Sequence, residues 1–287
     1  MTLILSADRT CDLSEELIAK YDVHTIPYHV LLDEKEYYDN VDITPNEIYQ
    51  VYYDKKVLPK TSAINTSEYI DYFRPFVDAG HDVVHFCLGS ALSSSYQNCV
   101  AAAEVLGGHV YPIDGRNLSS AVGLQVMDAG EMISAGKDGS EIQAYFNEHH
   151  CCYHGSFILD TLKFIHAGGR CSSVAALSAN LLNIRPCIEV NNNDGSMVVA
   201  KKYRGSLEKV LVKYVKDKLA QYDDILTDKI FITDSGIDPA IRDLVEKTIR
   251  ETLPFEKVIR STASCTISCH CGPACLGILF VTKTPSK

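Results

Sequence analysis

The stretch DVVHFCLGSALSSSYQNC, residues 82–99, decides the fold because it joins a buried strand to a helix through a loop rich in hydroxyls. Its first seven residues are nearly all apolar, which is typical of a strand covered on both faces. Residues 90–96 then hold four serines and a tyrosine, and no basic residue, at the start of the helix. Because ligands of open parallel sheets bind beyond the carboxyl ends of the strands, the stretch predicts a ligand site built from neutral donors.

The same pattern recurs through residues 1–150, for which we predict an α/β domain with a Rossmann-like, mostly parallel sheet. LILS (3–6), HTIPYHVLL (24–32) and HVYPI (109–113) read as further strands. Three more hydroxyl-bearing loops are ADRTCD (7–12), where Asp12 is expected to cap the first helix, PKTSAINTS (59–67) and DGRNLSS (114–120). Free N–H groups at helix starts attract anions, so four such loops at one sheet edge predict an anion pocket.

Residues 151–287 mix hairpins and helices, which predicts a second, α+β domain with a mixed or antiparallel sheet. The hairpin is expected within PCIEVNNNDGSMVVAKKY (186–203) and the final strands at 257–268 and 275–282. The remaining expectations concern helices: GSEIQAYFNEHH capped by Ser140, DTLKFIHAGG capped by Asp160, and SSVAALSANLL (172–182).

Composition narrows the classes of function. The chain has 287 residues and a formal net charge of -10, which argues against nucleic acid as a partner. The chain has no G-x-x-x-x-G-K-[ST] and no G-x-G-x-x-G motif, so it offers no evident nucleotide cradle. Its start does not resemble a signal peptide, and we expect a cytoplasmic protein whose eleven cysteines are reduced.

Two alternative functions stay open at this point. Cys265, Cys269, Cys271 and Cys275 surround His270 in what reads as a strand, which permits a thiol-rich metal or redox site, although buried thiols are the default interpretation. A hydrolase or transferase using Ser93 would need His270 within hydrogen-bond reach and an acid behind it. The loop GSALS does not match the G-x-S-x-G pattern of such enzymes.

Several motifs, in this order, resemble the DegV family of bacterial fatty-acid-binding proteins. ADRTCDL (7–13) is similar to T-D-S-T-x-D-L, PKTS (59–62) to P-x-T-S, and SALSSSY (90–96) to S-x-x-L-S-G-T-Y. LDTLKFIHAGGR (159–170) is similar to L-D-T-L-x-x-L-x-x-G-G-R, LLNIRP (181–186) to L-L-x-I-K-P, and HCGPACLGILF (270–280) to H-x-G-P-G-x-L-G. The resemblance covers nearly the whole chain.

The resemblance implies a carrier rather than an enzyme. Such a protein encloses a long-chain fatty acid, such as palmitate or oleate, in a tunnel between two domains and presents the carboxylate to a separate ATP-dependent fatty acid kinase, without a cofactor or metal. Matching positions imply that Thr61 and Ser93 hold the carboxylate with Ser62 and Ser94 nearby, and that Arg170 and His270 lie at the mouth. Neutral donors would leave the carboxylate nucleophilic. We expect a monomer, since it must dock a kinase.

The tail of the ligand would supply most of the binding free energy. Each buried methylene is worth about 0.8 kcal/mol, so a long chain supplies on the order of 10 kcal/mol before entropy costs. We expect the tunnel lining to come from GSFIL (155–159), SVAALSANLL (173–182), CIEV (187–190) and CLGILFV (275–281).

The chain also departs from the family motifs. Arg9 stands at a small hydroxyl position and could pair with Asp8 or Asp12, Ser94 stands at a glycine position and Ser95 at a threonine position, and Ala274 follows Pro273 at a glycine position.

Overall fold

Strands and helices alternate along the chain, and the strands form three sheets. The computed structural model describes residues 2–174 and 184–284. The strands are β1 Leu3–Asp8, β2 Val23–Ile26, β3 His29–Leu32, β4 Lys35–Tyr38, β5 Lys60–Ser62, β6 Asp82–Cys87, β7 Val110–Asp114, β8 Tyr153–Ile158, β9 Ile184–Val190, β10 Met197–Arg204, β11 Lys229–Asp234, β12 Lys257–Thr262 and β13 Leu276–Val281. The α-helices are α1 Glu15–Tyr21, α2 Pro45–Lys55, α3 Thr66–Asp78, α4 Ser95–Val105, α5 Ser120–Ser134, α6 Gly139–His149, α7 Lys163–Gly168, α8 Leu207–Leu219, α9 Pro239–Thr252 and α10 Cys265–Cys271.

The first sheet is parallel throughout and has the order β2-β1-β6-β7. Side chains of β6 alternate between its two faces: Val83 and Cys87 pack towards α3 and α4, whereas Val84 and Phe86 pack towards α5 and α6. Both faces are therefore buried, which explains the nearly continuous apolar run in this strand. The prediction of a Rossmann-like parallel sheet is confirmed.

The second sheet is mixed, in the order β10-β9-β8-β13-β11-β12. Its neighbours are antiparallel except for β11 and β12. Helices α8 and α9 pack on one face, and α5 of the first half packs on the other, so α5 lies between the two sheets. The predicted hairpin is present as β9 and β10, and the α+β character is confirmed. The domain boundary at residue 150 stays a prediction.

The segment 24–32 forms two strands where the sequence predicted one. The break falls at Pro27 and Tyr28, because proline lacks the N–H group that would continue the ladder. As a result β3 leaves the first sheet and pairs with β4 and β5 in a small antiparallel sheet. This small sheet carries Thr61 and, together with α2, packs against α10.

Three predicted helix caps were wrong. Helix α1 is capped by Ser14, whose Oγ accepts from the Leu17 N–H, and not by Asp12. Helix α6 is capped by Asp138, two residues before Ser140, and Asp138 forms a capping box with Glu141. Helix α7 begins only at Lys163, and Asp160 instead forms an ion pair with Arg185 at 2.7 Å. These errors arose because several residues with capping side chains follow one another.

The C-terminal prediction contains a larger error. Residues 257–268 were expected to form one strand, but β12 ends at Thr262 and α10 follows from Cys265 to Cys271. The N–H groups at the start of α10 are bound by two carboxylates distant in the chain, Asp12 and Asp39, so the local sequence gave no capping signal. The predicted helix over 172–182 lies mostly outside the described residues.

The helices are those of a globular α/β protein. The longest described helix, α5, has 15 residues. Within residues 2–174 and 184–284, no helix has the length and apolar character needed to cross a membrane.

Candidate functional site: a cavity between the two sheets

A cavity of about 340 Å³ lies where the two halves of the chain meet. Residues of both halves line it, with apolar side chains such as Leu88, Leu118, Phe157 and Leu279 beside polar ones. The predicted site residues also line this cavity: Thr61, Ser62, Ser93, Ser94, Arg170 and His270. Parts of the chain more than 200 residues apart are therefore brought together at one ligand-sized space.

Thr61 and His270 form a direct contact across this space. Thr61 lies on the edge strand β5 and His270 on α10, and Thr61 Oγ1 stands 2.8 Å from His270 Nε2. Burial, together with the positive charge of Arg170, lowers the pKa of His270 to about 4. The imidazole is therefore neutral near pH 7, and it can share one hydrogen bond with the threonine without placing a charge beside the cavity.

The other nitrogen of His270 faces Gly168. A Cβ atom at Gly168 would lie closer than 3.0 Å to His270 Nδ1, so the ring can occupy its place only beside a residue without a side chain. Within the described residues Nδ1 has no hydrogen-bond partner. Leaving a buried acceptor nitrogen without a hydrogen bond costs less free energy than leaving a buried N–H group without one. The tautomer with the proton on Nε2 is therefore favoured. Thr61 then accepts from His270 and keeps its own proton for a ligand.

Ser93 lies in the loop between β6 and α4. Its Oγ accepts a hydrogen bond from the Ser95 N–H at 3.2 Å and donates one to Ser95 Oγ at 3.0 Å. The phenol oxygen of Tyr28 lies 3.4 Å away. The Ser95 N–H occupies one lone pair of Ser93, and the Ser93 hydroxyl proton can reach a ligand only by turning away from Ser95 Oγ.

Behind Ser93 lies a fully buried carboxylate, Asp8, at the end of β1. It accepts hydrogen bonds from the Tyr28 hydroxyl at 3.1 Å, the Tyr69 hydroxyl at 2.7 Å and the Leu88 N–H at 2.8 Å, and His85 Nε2 lies 3.1 Å away. Since the aspartate of the first motif is satisfied inside the protein, its role is to hold Tyr28 and the start of the β6–α4 loop. Sequence reasoning missed Tyr28, because nothing in its local sequence distinguishes it from a core tyrosine.

Arg170 lies at the exposed rim of the cavity. It follows Gly169, which ends α7 with a φ of +67°, a conformation that favours glycine. Its guanidinium donates to the Gly168 carbonyl at 2.6 Å and to the Leu92 carbonyl at 3.4 Å. Ser62 and Ser94 are also exposed. The cation and two of the hydroxyls are thus open to solvent, while Thr61 and Ser93 lie further in.

Several hydroxyls that line the cavity are already satisfied within the protein. Ser119 donates to Asp12 at 2.5 Å, Ser156 lies 2.8 Å from the Tyr214 hydroxyl, and Ser235 donates to the Gly272 carbonyl at 2.5 Å. These groups need no partner from a ligand. Because their hydroxyls are already bonded, these residues offer the cavity mostly van der Waals contacts, which suit a hydrocarbon chain.

The predicted lining was partly correct. Ser156 and Phe157 from GSFIL, and Cys275, Gly277 and Leu279 from CLGILFV, line the cavity. The segment CIEV does not: Ile188 and Val190 pack in the core beneath it. Residues 175–182 of SVAALSANLL lie outside the described residues. The first half contributes more lining than expected, including Leu88, Leu92 and Leu118.

Three of the four hydroxyl loops reach the cavity. The loops around Thr61, Ser93 and Ser119 contribute lining residues, whereas among the described residues ADRTCD (7–12) contributes none. That loop is drawn into the interior, where the Asp12 carboxylate binds Ser119 and the Ser264 N–H. The expected ion pair of Arg9 with Asp8 or Asp12 was also wrong, since Arg9 pairs with Glu15 at 2.5 Å.

The cysteine group does not form a metal site in the described structure. Cys265 and Cys269 lie one turn apart on the helix α10. The Cys265 thiol is within hydrogen-bond distance of Asn40 Oδ1 and of the Ile43 carbonyl. Burial raises the pKa of Cys265, Cys269 and Cys275, and among the described residues no three ligand atoms of this group lie within 4.8 Å of one another.

Three potential metal ligands do lie together elsewhere in the described residues. Atoms of His85, Cys87 and Cys99 fall within 4.8 Å of one another. The two nitrogens of His85 are already occupied, however, by Ser6 at 2.8 Å and by Asp8 at 3.1 Å. The group is therefore a hydrogen-bonded part of the core.

Ser93 and His270 do not form a serine-hydrolase arrangement within the part of the chain that the structure describes. His270 Nε2 contacts Thr61 instead of Ser93, and Nδ1 has no acid behind it among the described residues. An imidazole whose Nε2 contacts Thr61 is not placed to take the proton of Ser93.

Comparison with known proteins agrees with this geometry. The sequence profile of a family described as "Uncharacterised protein, DegV family" matches residues 4–283. The chain belongs to the DegV family. A DegV domain-containing protein of Caldanaerobacter subterraneus is 27% identical over 295 aligned residues, which cover 98% of this chain and 99% of that protein.

Solved structures of DegV proteins have the same fold. A DegV family protein from Thermus thermophilus, whose structure is described as showing fatty acid binding, has a TM-score of 0.88 at 26% identity and covers 98% of this chain and 100% of that one. A stearic acid-binding protein from Eubacterium ventriosum has a TM-score of 0.84 at 25% identity and covers 99% of each chain. The recognition of the family and the predicted fold class are confirmed.

Proposed function

We propose that this DegV protein binds one long-chain fatty acid in the cavity between its sheets and presents the carboxylate to a separate ATP-dependent fatty acid kinase. The protein itself would act in the cytoplasm as a monomeric carrier, without turnover and without a cofactor. The observation that carries the proposal is that Thr61, Ser93 and His270 line one cavity together with apolar side chains such as Leu88, Phe157 and Leu279.

The polar groups suit a carboxylate that must remain reactive. Thr61 retains a hydroxyl proton that can be donated, the Ser93 hydroxyl can turn from Ser95 Oγ to a ligand, and the His270 ring beside Thr61 is neutral. Such donors satisfy a carboxylate, whereas a fixed cation in direct contact would form a tight ion pair and reduce its nucleophilicity. Ser62 and Ser94 stand at the more exposed side of the same cavity.

Arg170 and His270 are proposed to assist phosphoryl transfer on the partner kinase. Arg170 is exposed at the rim, where a phosphate group would approach the carboxylate. A cation at that position would stabilise the negative charge that accumulates as the phosphate arrives. The acyl phosphate would form when the carboxylate oxygen bonds to phosphorus and ADP leaves.

Mass spectrometry of the protein under native conditions tests the carrier role. We expect a mass increment equal to one long-chain fatty acid in protein purified without added lipid, and release of that acid on denaturation. A metal increment would support the thiol site, and a bare protein that reacts with a fluorophosphonate probe would support the hydrolase. Either result would overturn the proposal.

The kinase partnership needs a second experiment. Protein loaded with radiolabelled palmitate is mixed with ATP and a bacterial fatty acid kinase subunit, and acyl phosphate is trapped with hydroxylamine. We expect product only when carrier, kinase and ATP are all present. Product formed without the kinase would show that the chain is itself an enzyme.

A further inference from the structure

The helix that carries His270 is held at both ends by the N-terminal half of the chain. At its C-terminal end, His270 Nε2 contacts Thr61 at 2.8 Å. At its N-terminal end, Asp39 accepts from the Cys265 N–H at 2.7 Å with one carboxylate oxygen and from the Thr266 N–H at 2.9 Å with the other. Seven residues of α-helix span only about 10 Å, so the two contacts act on one short rigid body.

Both contacts are tied to the same strand. The Asp39 N–H donates to the Tyr28 carbonyl at 2.9 Å, immediately before β3 begins. Thr61 is paired with Val30 of that strand in the small sheet. Tyr28 and Val30, which hold Asp39 and Thr61, are only two residues apart. This sets the distance between the carboxylate at one end of α10 and the hydroxyl at the other end.

Asp39 is suited to this task and is not used elsewhere at the site. Its side chain is fully buried, and burial raises the pKa of its carboxyl group. The backbone N–H groups at the start of α10 supply the partners that offset this cost, because a carboxylate at a helix N-terminus interacts favourably with unpaired N–H groups and with the helix dipole. The cavity lining contains Thr266 but not Asp39 among the described residues, so the carboxylate is outside ligand contact.

We infer that Asp39 is a positioning residue for His270: by holding the first N–H groups of α10, it fixes the imidazole against Thr61 at the fatty-acid site. The effect on lipid rests on the proposed function, whereas the effect on His270 does not. Loss of the carboxylate leaves two buried N–H groups without partners, and α10 must move to reach water or other acceptors.

The test follows the His270 ring by NMR titration in the full-length protein, with the resonance assigned from a His270→Gln variant. In Asp39→Ala we expect the pKa of His270 to rise from about 4 towards its ordinary value of about 6.5, because the ring leaves its buried place. Asp39→Asn, which keeps one acceptor oxygen, should give a smaller rise in the pKa of His270. This variant is measured instead if Asp39→Ala does not fold.

Asp138→Ala is the matched control. Asp138 also caps a helix by accepting a backbone hydrogen bond, from Glu141 at 2.9 Å, but it is exposed on α6. This variant should lose a helix cap and leave the His270 titration unchanged. An unchanged His270 titration in folded Asp39 variants would overturn the inference.

The rate of fatty-acid release is the second measurement. We expect release to become roughly tenfold faster in Asp39→Ala, the effect of losing about one hydrogen bond to a charged group. A wild-type protein that carries no lipid would refute the proposed function and would leave the NMR test of Asp39 intact.

Discussion

Gly168 and His270 are in such close contact that a Cβ atom on the glycine would stand within 3.0 Å of the ring nitrogen Nδ1. The glycine belongs to the GGR segment at the end of α7, and the histidine belongs to α10. The absence of one methyl group thus allows the two helices to bring an imidazole against Thr61.

Gly168→Ala should therefore displace His270 and speed fatty-acid release. The added methyl group must push away the ring, because Nδ1 lies on the rigid part of the side chain. Gly108→Ala is the control: its φ of +83° makes it strained, but a Cβ there meets nothing within 4 Å. Release of a fluorescent fatty acid, measured with both variants, should change only for Gly168. Equal release rates in the two variants would contradict the close-contact argument.

Thr61→Ala combined with Ser93→Ala should weaken fatty-acid binding by more than roughly a hundredfold, since each of the two hydrogen bonds to a charged group is worth about 1.5–3 kcal/mol. Dissociation constants measured by isothermal titration of delipidated protein would show this. Ser140→Ala removes an exposed hydroxyl on α6 and should leave affinity unchanged. If the double variant retains wild-type affinity, these hydroxyls do not hold the carboxylate.

Acid should destabilise the protein through His154 and His270. The pKa of His270 is about 4 and that of His154 about 3 when folded, and both rise to about 6.5 on unfolding, so the unfolded state binds more protons. Their contribution to stability is fully present above pH 6.5 and is lost as the pH falls towards 4. His270→Gln should make the fall in unfolding free energy shallower, by at most about 1.4 kcal/mol per pH unit. Parallel curves for the variant and wild type from urea denaturation would refute this assignment.

Leu279→Phe should shorten the acyl chains that the protein carries, because this side chain lines the cavity and extra volume there leaves less room. Leu276→Phe is the matched control on the same strand: Leu276 packs in the core on the other face of the sheet, against α8 and α9. Extraction and chromatography of bound lipids should show a shorter average chain only for Leu279→Phe. An unchanged profile would place the tail elsewhere.

The sequence predicted the elements whose causes are local. Apolar runs marked the buried strands, and residues 186–203 were read as the hairpin that β9 and β10 form. The predicted site residues line one cavity because the topology brings together β5, the loop between β6 and α4, the end of α7 and α10.

Long-range contacts explain what the sequence did not predict. Helix α10 was read as a strand because its first N–H groups are bound by Asp12 and Asp39, more than 220 residues away in the chain. Asp12 was read as a helix cap because the same carboxylate can serve a nearby or a distant N–H group. The contact between Tyr28 and Ser93 has no local pattern at all, since it depends on β3 leaving the first sheet.

The most direct test of the central claim is the electron density of a crystal of the protein purified from cells without added lipid. The account predicts one elongated molecule in the cavity, with its carboxylate about 2.5–3.2 Å from the hydroxyls of Thr61 and Ser93. Density for a solid protein interior, or for a ligand whose acidic group points away from those two hydroxyls, would contradict it.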